Sequence, residues 1–192
     1  MEQIAELALE LDKLKSVYRK SYISDTSRRE NSAEHSWHLA LTIMGFAKFL
    51  PKTVDINKII RMALCHDICE IGAGDVSAYF VTDAQYEKEL QYMSEFESRF
   101  PGIGTEAKAL WQEYEDGETE ESRWLKVFDK LLPFILNIQS RGLTWQEQGV
   151  TKTMVLNHNE FIAELAPEIH VWMLTQIDLA VKNGWLKDNI AP

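Results

Sequence analysis

Cysteine is scarce in this chain, two residues in 192, and no second pair exists to complete a structural zinc site or a disulfide framework. Cys65 and Cys69 lie one helical turn apart, a spacing that suits small buried side chains in a reducing compartment. Proline and glycine are also few, five and nine, and neither gathers into a linker, so a single domain over residues 1–192 is expected. Positive charge is in short supply: 20 Lys and Arg stand against 30 Asp and Glu, a net charge of −10. That balance excludes a nucleic-acid polymer, whose binding depends on many cationic phosphate contacts. It leaves room for a small phosphorylated substrate, whose charge a metal ion and a few basic groups can meet locally. Long apolar runs are missing, and nothing approaches the roughly 18 uninterrupted residues that a membrane helix needs. The opening stretch MEQIAELALELDKLKS is acidic and amphipathic, without the basic region and cleavage site of a signal peptide, so a cytoplasmic protein is expected.

What the chain does contain is helical periodicity almost throughout, which predicts an all-α bundle. Leu7, Leu11, Leu14 and Tyr18 predict a first helix over about residues 2–19, followed by a loop at SYISDTSRREN. Ser32 is the expected cap of a second helix with a stripe of His35, Leu39, Ile43, Phe46 and Leu50, stopped by Pro51. Asp55 caps a third, whose face of Ile59, Met62 and Ala63 leads to His66. Helices are expected at about 83–99, at TEAKALWQEYED before Gly117, and from Thr119 through a Pro133 that disturbs its hydrogen bonding. Two more, at about 144–165 and 168–184, complete the bundle. Surplus apolar helix faces, with Trp111, Trp172 and Trp185 among them, suit a homodimer.

Four residues stand out because they put polar chemistry on apolar faces. His35 shares its stripe with Leu39 and Ile43, and His66 shares its own with Met62 and Ile59. Asp129 has Leu125, Leu132 and Leu136 at −4, +3 and +7. An unpaired buried carboxylate is costly, so Asp129 needs a base, a proton or a metal. Asp67 follows His66 directly. Helical neighbours point about 100° apart, so the two can share one ion only in the sector between them. Two imidazoles and two carboxylates suit a single divalent cation of the Mn, Fe, Co or Zn type. Glu70, three residues after Asp67 and four after His66, is placed to take a proton from water near that ion. His38 suits packing or support of the site.

With its order of a histidine, a His-Asp pair and a distant aspartate, the chain resembles the HD superfamily of metal-dependent phosphohydrolases. RRENSAEHSWHLAL, ALCHDICEIGAGDV and EYEDGETEESRWLKVFDKL resemble the small HD-domain proteins related to 5′-deoxynucleotidases, a similarity over roughly residues 1–185. The resemblance implies a helical HD fold, often dimeric, and one divalent ion (Mn, Co, Fe, Zn or Mg) on His35, His66, Asp67 and Asp129. It also implies a glutamate, here Glu70, acting on the nucleophilic water, and an aspartate, here Asp75, at the sugar or the leaving group. The implied reaction is hydrolysis of a deoxyribonucleoside 5′-monophosphate. The chain departs from the deoxynucleotidases at their Arg-Trp pair, reading Arg19-Lys20-Ser21-Tyr22 instead. Arg19 and Lys20 are then the phosphate candidates, with Arg28 and Arg29 behind them. Hydrolysis of a phosphodiester, a dNTP or an alarmone would call for more basic side chains. A regulatory module that binds metal or nucleotide without turnover would have no evident need of Glu70 and Asp75.

Overall fold

The computed structural model describes residues 1–80 and 82–188. They pack as two compact units, one of residues 1–19 and 30–128, the other of residues 20–29 with the chain from Asp129 onward. Among the described residues the fold is all-α apart from one two-stranded hairpin.

α1 (Glu2–Asp12), of the first unit, passes through a 3-10 turn (Lys13–Ser16) into β1 (Tyr18–Tyr22), which pairs with β2 (Arg29–Asn31). A helix through residue 19 and a loop at 21–31 are therefore both corrected. The stripe of leucines ends at Leu14, and Val17 is already extended. From Tyr18 onward the exposure alternates with the period of two that marks a strand, so Arg19 and Ser21 turn inward while Tyr18 and Lys20 turn out.

The next helix, α2 (Ser32–Phe46), is capped by Asn31 rather than Ser32, in a reciprocal pair with Glu34. Ser32 is instead drawn inside and spends its hydroxyl on Glu70. α2 packs against α3 (Ile56–Cys65), whose cap is Asp55, as expected. α3 stops at Cys65. The N–H groups of Ile68, Glu70, Ile71 and Gly72 then bond back three residues instead of four, and a single turn, α4 (Glu70–Ala73), ends at Gly74. α5 (Asp83–Arg99) and α6 (Ile103–Asp116) follow, the latter closed by a left-handed Gly117. Ile68, Cys69, Met93, Phe96, Phe100, Ala107 and Trp111 form a core beneath α4. Trp111, expected on an exposed face, is fully buried there, each such large apolar side chain contributing roughly 1.5–3 kcal/mol.

α7 (Glu120–Gln139) runs on unbroken through Pro133. The lost bond falls on the carbonyl four residues earlier, that of Asp129. In the second unit the helix expected at 144–165 is three shorter pieces, α8 (Leu143–Gln148), α9 (Lys152–Asn159) and α10 (Ile162–Leu165). Gly149, with φ 65°, turns the chain left-handed after α8. α11 (Pro167–Lys182) closes the bundle, and Trp172 on it is 42% exposed.

Candidate metal centre and acidic turn

His35 takes the buried stripe of α2 with Leu39 and Ile43, all three fully enclosed. His66 is placed by the end of α3. Its Nδ1 lies 2.9 Å from the carbonyl of Ala63, a bond that puts the ring proton on Nδ1 and the lone pair on Nε2. Nε2 is 3.1 Å from Asp67 Oδ1. Ligand atoms of His35, His66 and Asp67 all lie within 4.8 Å of one another. The two imidazole rings are 5.6 Å apart, and Tyr114 from α6 packs edge-on against His66 at 5.1 Å.

A second layer lies behind these atoms. Arg19, reaching in from β1, gives Nη1 to Asp67 Oδ2 at 2.7 Å, and the same nitrogen is 3.6 Å from Glu70 and 3.8 Å from Asp75. Its Nε is 3.7 Å from Glu30. One guanidinium thus reaches four buried carboxylates. Glu30 stands 3.5 Å from His35 Nδ1 as well. Burial and the charge of Asp67 push the Glu70 carboxyl well above its ordinary range, and Asp75 adds to this, against the opposing pull of Arg19 and the Ser32 hydroxyl.

Glu70 was expected on one continuous helix with His66 and Asp67; it opens a separate one. Because the connection bonds at a three-residue repeat, Asp67 and Glu70 eclipse each other, and the Glu70 N–H bonds to the Asp67 carbonyl at 3.0 Å. The two carboxylates face the same side more closely than an α-helix would place them.

The other predicted residues have clear positions. Asp129 is buried among its leucines, as its stripe required, and its carboxylate accepts from Lys130 at 2.7 Å within the second unit. Lys20 points out from β1 and is exposed, while its carbonyl accepts from Thr144. Arg29 lies over the Tyr22 ring and pairs with Glu147 at 2.7 Å. His38 is 4.0 Å from Glu30. The cysteines behave as packing groups: burial pushes the Cys65 thiol up to about 11 and that of Cys69 further above its usual value. Glu30, Ser32 and Tyr114 were not anticipated. Only a strand reading of Arg29-Glu30-Asn31 would have turned Glu30 inward.

The donor set fits a divalent ion. Two imidazoles and a carboxylate converge, and carboxylates exceed the guanidinium they share, a surplus that a dication offsets.

A helical bundle carrying a histidine, a His-Asp pair and a buried distant aspartate defines the HD class, and residues 11–170 match the HD domain family, to which this chain therefore belongs. The matched stretch runs through both units. Among curated proteins the chain is similar to the 5′-deoxynucleotidase HDDC2 of Dictyostelium discoideum, 32% identical over 127 residues, covering 62% of this chain and 67% of that protein. The human protein of the same name is 26% identical over 121 residues, 61% of this chain and 58% of its own length. The chain thus spans about three fifths to two thirds of these relatives. Among solved structures, a predicted metal-dependent phosphohydrolase from Magnetospirillum magnetotacticum MS-1 superposes with a TM-score of 0.90 at 35% identity, covering 97% of this chain and 95% of that one. A conserved hypothetical protein from Pyrococcus furiosus shares the fold at a TM-score of 0.58 and 23% identity, over 93% of this chain and 99% of its own.

Proposed function

We propose that this chain is a metal-dependent phosphomonoesterase that hydrolyses deoxynucleoside 5′-monophosphates to nucleoside and phosphate. The observation that carries the reading is the convergence of His35, His66 and Asp67 beside a buried Glu70 whose surroundings raise its affinity for a proton. The names and folds of its relatives supply the substrate class. His35, His66, Asp67 and Asp129 would hold one divalent ion of the Mn, Co, Fe, Zn or Mg type. When bound, such an ion polarises a phosphoryl oxygen and lowers the pKa of water.

This chain's own residues supply the rest. Glu70, whose surroundings raise its proton affinity, takes a proton from the attacking water. The new bond forms between that water's oxygen and phosphorus, the bond to the 5′ oxygen breaks, and the leaving oxygen receives a proton to become the nucleoside hydroxyl. Asp75, turned toward the same guanidinium as Glu70, is placed to guide that leaving group. Arg19 keeps Asp67 in register and offsets phosphate charge, whereas Lys20, expected to share that task, points to the opposite face of β1.

The acidic surface supports a small nucleotide over a nucleic-acid polymer. The exposed Trp37, Leu41 and Met44 of α2 support a homodimer. A cytoplasmic site of action accords with the absence, among the described residues, of a helix long and apolar enough to cross a membrane. The test is phosphate release from a panel of deoxynucleoside monophosphates by metal-reconstituted protein, with phosphate, pyrophosphate and triphosphate release from the matching deoxynucleoside triphosphates measured in parallel. No turnover with Mn or Co overturns the reading. Release of triphosphate instead of phosphate reassigns the bond.

A further inference from the structure

α4 is one turn long, and one turn of helix does not hold its own position in water. Yet it carries Glu70 at its start, and Asp75 follows directly on its closing residue Gly74. The structure shows what holds it, and most of that support comes from α5.

Two side chains seven residues apart, and so on one face of α5, grip the two glycines of the acidic turn. Gln85, 6% exposed, donates its amide Nε2 to the carbonyl of Gly74 at 3.1 Å and is oriented by Glu89 at 2.9 Å. Gly74 has φ 75° and ψ 156°, a conformation essentially confined to glycine, so this hydrogen bond fixes a backbone that would otherwise be very free. Tyr92 lays its ring where a side chain on residue 72 would go. A Cβ built on Gly72 would stand 2.3 Å from Tyr92 Cδ2 and 2.8 Å from Cγ. The ring is fixed in turn by its hydroxyl, which donates to Glu10 of α1 at 2.9 Å. Glu10 is itself held by Arg99 and Lys13.

We propose that Gln85 and Tyr92 are positioning residues for the reaction, gripping the acidic turn at Gly74 and Gly72 and so setting where Glu70 and Asp75 present their carboxylates. This rests on the hydrolase reading above. Neither residue touches the reacting atoms, and both act through the backbone of α4.

Four variants test the idea in the full-length, metal-reconstituted protein: Gln85→Leu, which removes the donor and keeps the bulk, Gly72→Ala, Gly72→Ala with Tyr92→Ala, which removes both ring atoms that the new methyl group meets, and Tyr92→Phe. Displacing the acidic turn by a fraction of an ångström should lower kcat by about tenfold or more in Gln85→Leu and Gly72→Ala. KM and the affinity for Mn, read by calorimetry, should stay within about twofold, since the ligands stand on other segments. Removing the ring that the new methyl group meets should recover part of the kcat lost in Gly72→Ala, but not the share that the ring's own grip supplies. A purely structural role would add the two losses instead. Should Gly72→Ala fail to fold, Tyr92→Phe keeps the ring, loses the bond to Glu10, and should show a smaller loss of kcat alone.

Hydrogen exchange supplies a readout independent of turnover: amides of residues 68–75 should lose protection in Gln85→Leu while the rest of α5 keeps its own. Wild-type kcat in Gln85→Leu and Gly72→Ala, losses of metal affinity that keep step with kcat, or unchanged protection at 68–75 would each overturn the proposal. A wild-type protein without phosphatase activity but with the expected exchange pattern would overturn the function and leave the grip on the turn standing.

Discussion

The first unit buries carboxylates in two places, and physical chemistry treats them in opposite ways. Glu10 is enclosed, and burial alone would raise its pKa, but hydrogen bonds from Arg99, Lys13 and Tyr92 outweigh that and bring it down to about 2. Glu70 lies deeper in the protein, with its pKa pushed up by burial and by Asp67, and one guanidinium shared among four carboxylates does not reverse the shift. The difference lies in depth and in local charge balance together. Where cations match the carboxylate, burial yields a lock between helices; where carboxylates outnumber them, it yields a group ready to exchange a proton and a place for a dication.

Glutamine substitution should separate the two places most sharply. Glu70→Gln keeps the volume and removes the proton acceptor, so kcat should fall by about hundredfold to ten-thousandfold. Metal content by plasma emission should not change, and Tm should hold or rise, because a buried group with too little compensation has been neutralised. A large drop in Tm would make Glu70 a structural partner of Ser32 and nothing more.

Glu10→Gln should do the reverse. Removing the charge leaves Arg99 and Lys13 without their shared partner, at a cost of about 2 kcal/mol of stability in urea unfolding. Glutamine still accepts from Tyr92, so kcat should be unchanged. Acid unfolding carries the same contrast. A carboxyl depressed from 4.5 to about 2 contributes stability that is complete above pH 4.5 and disappears as pH falls through 2, an effect of at most about 3 kcal/mol, reduced by the partial exposure of Arg99. In Glu10→Gln the fall of Tm between pH 4.5 and 2.5 should be shallower than in the parent protein.

How far sequence reasoning reached depended on which period a residue obeyed. His35 and Asp129 were legible because each sits on a three-and-four stripe of leucine and isoleucine, and burial follows from that stripe alone. Asp55, Pro101-Gly102 and Gly117 mark helix ends by their own chemistry. The strands did not announce themselves, since five residues of alternation over Tyr18–Tyr22 are short and two of them are charged. The tight turn at His66-Asp67 was hidden for another reason: apolar spacing of three fits an α-helix and a 3-10 turn equally, and only the hydrogen bonds tell them apart. The site was thus legible as a list of ligands, whereas the eclipsed placing of Asp67 and Glu70 was not.

Glu30 offers the finest test, because it belongs to both patterns. It faces a cation, Arg19, and also stands 3.5 Å from Nδ1 of His35, where a carboxylate can orient a metal-binding imidazole. If it serves the guanidinium, Glu30→Gln should behave like the Glu10 variant, losing stability and keeping metal affinity. If it serves the imidazole, affinity for Mn should fall by about tenfold while Tm barely moves, the smaller end of the effect seen when such supporting carboxylates are removed. The second outcome is expected, because Arg19 retains Asp67 at 2.7 Å whether or not Glu30 is charged, whereas Glu30 stands within 4 Å of His35 Nδ1. Calorimetric titration with Mn, set beside thermal unfolding of the same sample, distinguishes them.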